Sequence, residues 1–211
     1  MPNRFFITGT DTGVGKTVVS ALLCAAINAV YWKPIQTGTR EGTDRETVMR
    51  LAQLPENRTA PETYRFAPPV SPHLAARRAG LYIDLQQIRR PQIPARENLI
   101  TEGAGGALVP INDRHFMTDV MRRLKLPVLL VSRTTLGTIN HTLLSLAALR
   151  AAHLDVRGVI MVGQPNPENQ KAIERYGDVQ TVGVVPLLKT LNRWQLLRVF
   201  RRTFDCKVFR A

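Results

Sequence analysis

The segment Gly9–Thr17 carries the most specific chemical signal of the 211-residue chain, with the sequence Gly-Thr-Asp-Thr-Gly-Val-Gly-Lys-Thr. It follows an apolar run and opens a helical pattern. This is the setting of a phosphate-binding loop, in which backbone N–H groups and the positive end of the helix cradle phosphate oxygens. In such a loop Lys16 reaches the β- and γ-phosphates, and the Thr17 hydroxyl coordinates Mg²⁺. Thr10 stands where the usual pattern G-x-x-x-x-G-K-[ST] begins with glycine, but the Gly-Lys-Thr core is intact. A glycine-rich turn without a ligand is the weaker interpretation, because it leaves the lysine and the threonine unexplained.

Two further polar segments follow predicted strands, Lys33–Gly38 after the second and Glu102–Gly106 after the third. Ligands of an open parallel sheet bind beyond the carboxyl ends of its strands, so both segments would face the crevice of the phosphate-binding loop. A carboxylate such as Glu102 can hold Mg²⁺ there, and the glycines let the backbone approach phosphates closely. Two alternatives stay open: a solvated surface lysine at position 33, and a tight turn at 102–106 that Glu102 merely caps. Asp44 is a weaker signal by itself, because acidic residues are common in the first turn of a helix.

Six apolar runs must position these groups. They are continuous rather than alternating, as expected of parallel strands covered on both faces. The predicted strands are Phe5–Thr8, Ala29–Trp32, Leu99–Thr101, Val128–Val131, Val159–Val162 and Val182–Val185. The predicted helices are Thr17–Ala29, Asp44–Leu54, a short one from Ser71–Pro72 to Gly80, Phe116–Leu124, Ile139–His153, and Pro167–Tyr176 with Gly177 as its C′ residue. The alternation of strand and helix predicts an α/β fold, a doubly wound and mostly parallel sheet flanked by helices. Together with the phosphate-binding loop, this fold resembles the P-loop NTPase type. The stretch Pro55–Arg96 is otherwise predicted to be loop.

Composition restricts the class of protein. Apolar residues make up 44% of the chain and charged residues 21%, which is ordinary globular usage, and we expect one domain over residues 1–211. The two cysteines form no CxxC pair and the four histidines have no metal-ligand spacing, so we expect a cytoplasmic protein without a His/Cys metal site. No apolar run is long enough to span a membrane.

The net charge of +13 permits two interpretations. Basic residues attract small anions, and they also attract nucleic acid or an anionic membrane. Many lie in the segment 193–211, where Trp194, Leu197, Phe200 and Phe204 follow helical spacing. We expect a basic amphipathic helix whose Trp194, Leu197 and Phe200 face packs on the sheet while its arginines stay solvated. Binding of this helix to an anionic surface is the alternative.

Taken in order, the motifs resemble those of the dethiobiotin synthetases, the ATP-dependent ligases of biotin biosynthesis. The resemblance extends from residue 4 to about residue 188 and rests on Gly9–Thr17, Lys33–Pro34, Thr37–Gly38, Asp44, Ser71–His73, Glu102–Gly106, Leu136–His141 and Pro186–Leu188. It implies a C–N ligase that converts 7,8-diaminopelargonate, CO₂ and ATP into dethiobiotin, ADP and phosphate. The implied route passes through a carbamate and a carbamic–phosphoric anhydride before the cyclic urea closes.

The resemblance also implies a role for each site residue. Lys33, Lys16 and Thr12 would be catalytic, and Thr17, Asp44 and Glu102 would hold Mg²⁺. The implied ATP-binding residues are Gly13, Val14, Gly15, Lys16, Thr17, Asp44, Glu102, Gly103, Ala104, Gly105, Val162, Gly163, Pro186, Leu187 and Leu188. The implied substrate-binding residues are Thr37 together with Leu136, Gly137, Thr138, Ile139 and Asn140. The latter segment would reach the carboxylate of a substrate bound to the partner subunit of a homodimer, and its glycine-led helix start supplies free N–H groups for that purpose.

One departure from the family concerns the nucleobase. An asparagine usually ends the fifth predicted strand and reads adenine, whereas this chain has Val162 and Gly163 there. We therefore hypothesise that other nucleoside triphosphates are tolerated better than in typical relatives.

Two other classes of protein share part of the pattern. A partitioning-type P-loop ATPase that binds DNA or membrane would suit the charge and the basic segment. That group carries a lysine early in its loop, where this chain has Asp11-Thr12-Gly13. A cobyrinate-type amidotransferase shares the loop and the Glu102–Gly106 type of segment, but 211 residues leave no room for its glutaminase domain. We therefore expect small-molecule partners and a homodimer, without nucleic acid or membrane.

Overall fold

The structure, a computed structural model, describes residues 2–209 and contains a seven-stranded parallel sheet. Numbered in chain order, the strands of the chain are β1 (Arg4–Gly9), β2 (Val30–Trp32), β3 (Ile35–Gln36), β4 (Thr59–Ala60), β5 (Tyr64–Arg65), β6 (Leu99–Gly106), β7 (Val128–Arg133), β8 (Val156–Val162) and β9 (Thr181–Val185). The central sheet has the order β4-β2-β6-β1-β7-β8-β9, and β3 pairs with β5 in a separate parallel ribbon. The predicted doubly wound parallel sheet is confirmed.

Helices cover both faces of this sheet. They are α1 (Lys16–Ile27), α2 (Asp44–Ala52), α3 (Pro72–Arg78), α4 (Met117–Leu124), α5 (Thr138–Ala151), α6 (Pro167–Gly177) and α7 (Arg193–Thr203). Successive residues of a strand point to opposite faces, and β1 shows the result. Phe5 and Ile7 pack with α1, α2 and α7, whereas Phe6 packs in the core that α3, α4, α5 and α6 cover. None of the helices within residues 2–209 has the length and apolarity needed to cross a bilayer.

Three local predictions were wrong. The third predicted strand does not end at Thr101 but continues to Gly106 as β6, paired with β1 as far as Gly106 opposite Gly9, so the alternative of a tight turn at 102–106 is excluded. The stretch Pro55–Arg96 contains β4 and β5 as well as α3, because two-residue strands are too short to show hydrophobic periodicity. Gly177 is the last residue of α6, and Asp178 takes the left-handed conformation after it, with φ 43°.

The orientation of α7 was also predicted wrongly. Leu196 and Val199 are the buried residues of this helix, whereas Trp194 is 63% exposed. Leu197 and Phe200 are only partly buried. The helix packs on α1 and then returns the chain to the sheet, where Phe204 forms an antiparallel bridge with Gly183 of β9. The end of the predicted segment, residues 210–211, lies outside the described residues.

Candidate active site

The phosphate-binding loop joins β1 to α1 and depends on its glycines. Gly13 and Gly15 have φ of 72° and 98°, in the left-handed region that glycine enters without steric cost. A Cβ at Gly9 would lie 2.7 Å from the side chain of Val14 and 3.1 Å from Lys16 Nζ. The Lys16 ammonium donates a hydrogen bond to the backbone oxygen of Asp11 at 2.9 Å. This bond joins the end of the loop to its beginning.

Four polar side chains meet beside this loop, from α1, the segment after β2, α2 and β6, and we call them the acid–lysine cluster: Thr17, Lys33, Asp44 and Glu102. Lys33 Nζ lies 2.6 Å from Asp44 Oδ2 and 3.0 Å from Glu102 Oε1. Thr17 Oγ1 lies 2.8 Å from Asp44 Oδ1 and 3.0 Å from Glu102 Oε1. Glu102 is fully buried and Lys33 is only 6% exposed. These values exclude the two alternatives left open by the sequence, a solvated lysine at position 33 and a glutamate that only caps a turn.

Burial and charge act on the titrating groups of the site in opposite directions. Burial alone would lower the pKa of Lys33, but the carboxylates of Glu102 and Asp44 outweigh it and raise that pKa. Burial alone would raise the pKa of Asp44, and the charge and hydrogen bond of Lys33 lower it instead. The pKa of Lys16 is lowered, chiefly by burial. Lys33 and Asp44 therefore form an ionised pair, which a low-dielectric site requires of buried charges.

The strands explain why these groups meet. Lys33 directly follows β2 and Glu102 lies on β6, its neighbour in the sheet, where Trp32 is paired with Thr101. Asp44 is the first residue of α2, whose N-cap Thr43 forms a capping box with Glu46. The backbone N–H of Asp44 also donates to Gln36 Oε1 at 3.2 Å, which ties the start of α2 to β3.

Three polar residues of the site were not predicted from the sequence. The hydroxyl of Tyr31 donates to Glu102 Oε2 at 3.0 Å, and burial, with the adjacent Glu102 charge, raises the pKa of Tyr31 well above its usual value. Gln36 anchors α2, as described above. Arg133, at the end of β7, donates to the backbone oxygen of Thr12 at 3.2 Å. Period-two spacing before Lys33 could have identified Tyr31. The contact of Gln36 is local, eight residues from Asp44, but no sequence motif marks it. The contact of Arg133 joins segments 121 residues apart.

The donor set of the cluster fits a hard divalent cation. Octahedral Mg²⁺ has oxygen ligands at about 2.1 Å, so neighbouring ligands are about 3.0 Å apart. Thr17 Oγ1 already lies at about this spacing from one oxygen of Asp44, at 2.8 Å, and from one oxygen of Glu102, at 3.0 Å. The threonine hydroxyl carries a single proton and cannot donate to both carboxylates at once. The arrangement therefore suits a cation that is coordinated by oxygens of all three residues.

A cleft of about 680 Å³ opens over the loop and the cluster. It brings together many of the predicted site residues, namely Thr12, Gly13, Gly15, Lys16, Thr17, Lys33, Thr37, Asp44, Glu102, Ala104 and Gly105. Val14 and Gly103 support it from behind: Val14 is buried, and a Cβ at Gly103 would lie 2.8 Å from the ring of Phe6. The cleft is also lined by residues for which no binding role was predicted from the sequence, among them Val70, Ser71 and Val109.

A second group of predicted nucleotide contacts lies on the other side of the loop, at the ends of β8 and β9. We call this group, formed by Val162, Gly163 and Pro186–Leu188, the β8–β9 side. Val162 contacts the loop, since a Cβ at Gly15 would be 3.0 Å from its Cγ1. Gly163 has φ 137°, and a Cβ there would overlap Thr134 Oγ1. The backbone at position 163 therefore accommodates no side-chain amide.

The predicted substrate segment Leu136–Asn140 is not brought to the cleft of its own chain. Leu136 is fully exposed, and Gly137, with φ 89°, is the N-cap of α5. The Thr138 hydroxyl is directed inward and donates to the backbone oxygen of Arg133 at 2.6 Å. At this exposed helix start the N–H of Thr138 donates to the backbone oxygen of Thr135 at 3.1 Å, and the N–H groups of Ile139 and Asn140 have no acceptor among residues 2–209.

The sequence of the chain is similar to those of known proteins. A family model described as an AAA domain matches residues 3–195. The ATP-dependent dethiobiotin synthetase BioD of Brucella melitensis biotype 2 is 46% identical over 210 residues, which is 99% of this chain and 98% of that protein. The chain belongs to the dethiobiotin synthetase family. The Brucella anthropi synthetase is likewise 46% identical, over 209 residues covering 99% and 98% of the two chains.

Solved structures of other proteins share this fold. The MinC:MinD cell division complex of Aquifex aeolicus aligns with TM-score 0.56 and 14% identity, covering 93% of this synthetase-family chain and 86% of that chain. A ParA family ATPase of Chlorobium tepidum aligns with TM-score 0.54 and 10% identity, covering 94% and 90%. At these identities the likeness shows the fold alone, and the synthetase relatives decide the family.

Proposed function

We propose that this chain closes the cyclic urea of dethiobiotin from 7,8-diaminopelargonate, CO₂ and ATP, in the cytoplasm. The observation that carries the proposal is the acid–lysine cluster beside a phosphate-binding loop, in a chain with synthetase relatives along its whole length. The cluster places a cationic group and three hard oxygen donors where a triphosphate would meet a second anion. That second anion is the carbamate formed when one substrate amine adds to CO₂ and loses a proton.

The chain's own residues would act by position and charge. The N–H groups of the loop and the Lys16 ammonium would hold the β- and γ-phosphates. A carbamate oxygen attacks the γ-phosphorus, the bond to the ADP oxygen breaks, and charge develops on the leaving oxygens. Lys33 and Lys16 would stabilise that charge, and Thr12 and Thr37 would orient the carbamate. The second amine then attacks the carbonyl carbon and loses a proton, phosphate departs with its oxygen from the carbamate, and the ring closes.

Thr17, Asp44 and Glu102 are the residues that would hold Mg²⁺ in this site. The bound ion would neutralise charge on the β- and γ-phosphate oxygens. Lys33 balances the two carboxylates in the structure described here. With the carboxylates balanced by a cation, the Lys33 ammonium would be free to face the carbamate and the transferring phosphate.

We propose further that the active site is shared between two copies of the chain. The exposed start of α5 at Leu136–Asn140 supports this, because its N–H groups suit the carboxylate of the substrate but are not directed at the cleft of the same chain. The exposed Leu136 would be covered in the homodimer.

Tolerance of several nucleotides is supported by the β8–β9 side. Gly163 accommodates no side chain, and Val162 carries no polar atom, so the asparagine that reads adenine in relatives has no equivalent at either position. Recognition by backbone groups and apolar contact would discriminate weakly among bases.

One assay tests the reaction directly. The protein is incubated with 7,8-diaminopelargonate, bicarbonate, Mg²⁺ and ATP, and dethiobiotin is detected by mass spectrometry. Product that requires ATP, bicarbonate and Mg²⁺ is the expected result, and GTP and CTP should support turnover within a hundredfold of ATP. Absence of product, with ATP hydrolysis stimulated by DNA or lipid, would instead favour the partitioning-type ATPase.

The shared site has its own test. Lys33→Ala would inactivate one half of a site. Asn140→Pro, at an exposed position in the first turn of α5 where proline is tolerated, would remove an N–H from the helix start and impair the other half. Mixing the two variants under conditions of subunit exchange should restore activity, because each mixed dimer contains one intact site. Two variants carrying Lys33→Ala and Lys16→Ala, which lie in the same half, should not complement each other. Complementation by this control pair, or none by the first pair, would contradict the shared site.

A further inference from the structure

Tyr31 is a polar residue of the site to which the proposed mechanism gives no role. It lies on β2, two residues before Lys33, and both Tyr31 and Glu102 are fully buried. The Tyr31 hydroxyl donates to Glu102 Oε2 at 3.0 Å. A buried carboxylate needs a partner for each oxygen, and this hydroxyl supplies the partner of one of them.

The two oxygens of Glu102 have different partners. Oε1 lies 3.0 Å from Thr17 Oγ1 and 3.0 Å from Lys33 Nζ, within the acid–lysine cluster. Oε2 has no hydrogen bond within the cluster, and among residues 2–209 Tyr31 is the one side chain that donates to it. The terminal torsion of a glutamate is broad, so an anchor on one oxygen determines where the other oxygen points.

The sheet makes this contact specific to Tyr31. Tyr31 is paired with Ile100 on β6, and Glu102 follows Ile100 by two residues, so the tyrosine and the glutamate share a face of the sheet. The adjacent Trp32 points to the opposite face, where its indole N–H donates to the backbone oxygen of Pro61 at 3.1 Å. Two neighbouring buried aromatic residues therefore each make a hydrogen bond, and only one of them reaches the site.

We infer that Tyr31 is a positioning residue of the cation site, which anchors Glu102 through Oε2 so that Oε1 faces the cation. The inference rests on the proposed function, since it takes Thr17, Asp44 and Glu102 as the residues that hold the cation. Hydrogen bonds of this kind orient metal ligands in proteins, and their loss typically weakens metal affinity by about 10- to 100-fold.

The test compares Tyr31→Phe with Tyr64→Phe. Both changes delete one hydroxyl that takes part in a hydrogen bond, and Tyr64 serves as the control because its hydroxyl accepts from the backbone N–H of Asp84 at 2.9 Å, outside the cluster. Mn²⁺ binding in the presence of ADP is measured by electron paramagnetic resonance of the free ion. Tyr31→Phe should raise the Kd of Mn²⁺ about tenfold or more, and Tyr64→Phe should leave it unchanged.

Two further readouts separate positioning from a general loss of structure. ADP affinity measured in EDTA should be the same in Tyr31→Phe as in the parent, because the phosphate-binding loop does not depend on the tyrosine. Turnover should recover toward the parent value at high Mg²⁺, so that the half-saturating Mg²⁺ concentration rises while kcat changes little. Equal Mn²⁺ affinity in the parent and Tyr31→Phe would overturn the inference alone. A parent that binds no Mn²⁺ with ADP would overturn the proposed cation site, whatever the chain is found to synthesise.

Discussion

The two sides of the phosphate-binding loop are built from different chemistry. On one side, the acid–lysine cluster joins four polar side chains by contacts of 2.6–3.0 Å, and its lysine and glutamate are buried. The β8–β9 side, by contrast, consists of a valine, a glycine, a proline and two leucines. In the proposed function, the chain would direct its side-chain charges at phosphate and cation and would leave the base to backbone and apolar contacts. Chemistry on the γ-phosphate needs fixed charges, whereas the base takes no part in the reaction.

The largest effect is expected on the charged side, from Lys33→Ala. It should lower kcat by about 100- to 1000-fold, since it removes a cation that stabilises developing charge. It also leaves two carboxylates without their buried cation, so the variant should be less stable than the parent and should regain stability with Mg²⁺. Steady-state kinetics and thermal unfolding with and without Mg²⁺ measure both effects. Lys171→Ala, at an exposed lysine, is the control, and parent-like turnover of Lys33→Ala would contradict the assigned role.

The next effect concerns the helix that supports the β8–β9 side. Leu196→Ala removes a fully buried side chain of α7 and should cost about 2–5 kcal/mol in the free energy of unfolding, measured in urea. Trp194→Ala, two residues earlier on the same helix, removes a side chain that is 63% exposed and should cost about 0.5 kcal/mol or less. Equal losses would show that α7 does not pack as described.

Replacing Gly163, on the β8–β9 side, tests whether this position can read the base. Gly163→Asn places a side chain at φ 137° against Thr134, and should cost about 1–3 kcal/mol without producing a preference for ATP over GTP. Gly80→Asn is the matched control, since Gly80 has φ 66° and open space around it, a setting that asparagine tolerates. Stability is followed by thermal unfolding, and base preference by turnover with each nucleotide. A gain in ATP preference by Gly163→Asn would show that position 163 can read the base.

The smallest effect is a pH dependence of stability on the charged side. The pKa of Asp44 is lowered in the folded state, so its pairing with Lys33 stabilises the fold above the unfolded pKa of about 3.9. This contribution is lost as the pH falls through the lowered folded value. The raised pKa of Lys33 means that its contribution is complete below about pH 10.4 and is lost above that value. Asp44→Asn should therefore flatten the acid limb of a plot of unfolding free energy against pH, and an unchanged acid limb would contradict the pairing.

The same two regions show what a sequence can and cannot reveal. Thr17 and Glu102 were predicted to share a crevice because strand ends of a parallel sheet meet at one edge, and the structure places them 3.0 Å apart. The burial of Lys33 was not predictable, since it depends on pairing between chain segments far apart in sequence. The orientation of α7 was missed for a related reason. Its apolar residues fit more than one helical face, and contact with α1 and β9 selects the face of Leu196 and Val199.

The return of the chain after α7 has a consequence for how the protein behaves at high concentration. β9 is an edge strand, and an exposed edge strand can recruit the edge of another molecule and start aggregation. Here the backbone N–H of Asp205 donates to the oxygen of Val182 at 3.0 Å, and the Thr203 hydroxyl donates to the oxygen of Val184 at 2.6 Å. Phe204 covers the glycine between them. A chain shortened by its last nine residues would lose this cover, and association of sheet edges between molecules, rather than loss of catalysis, would be its first defect.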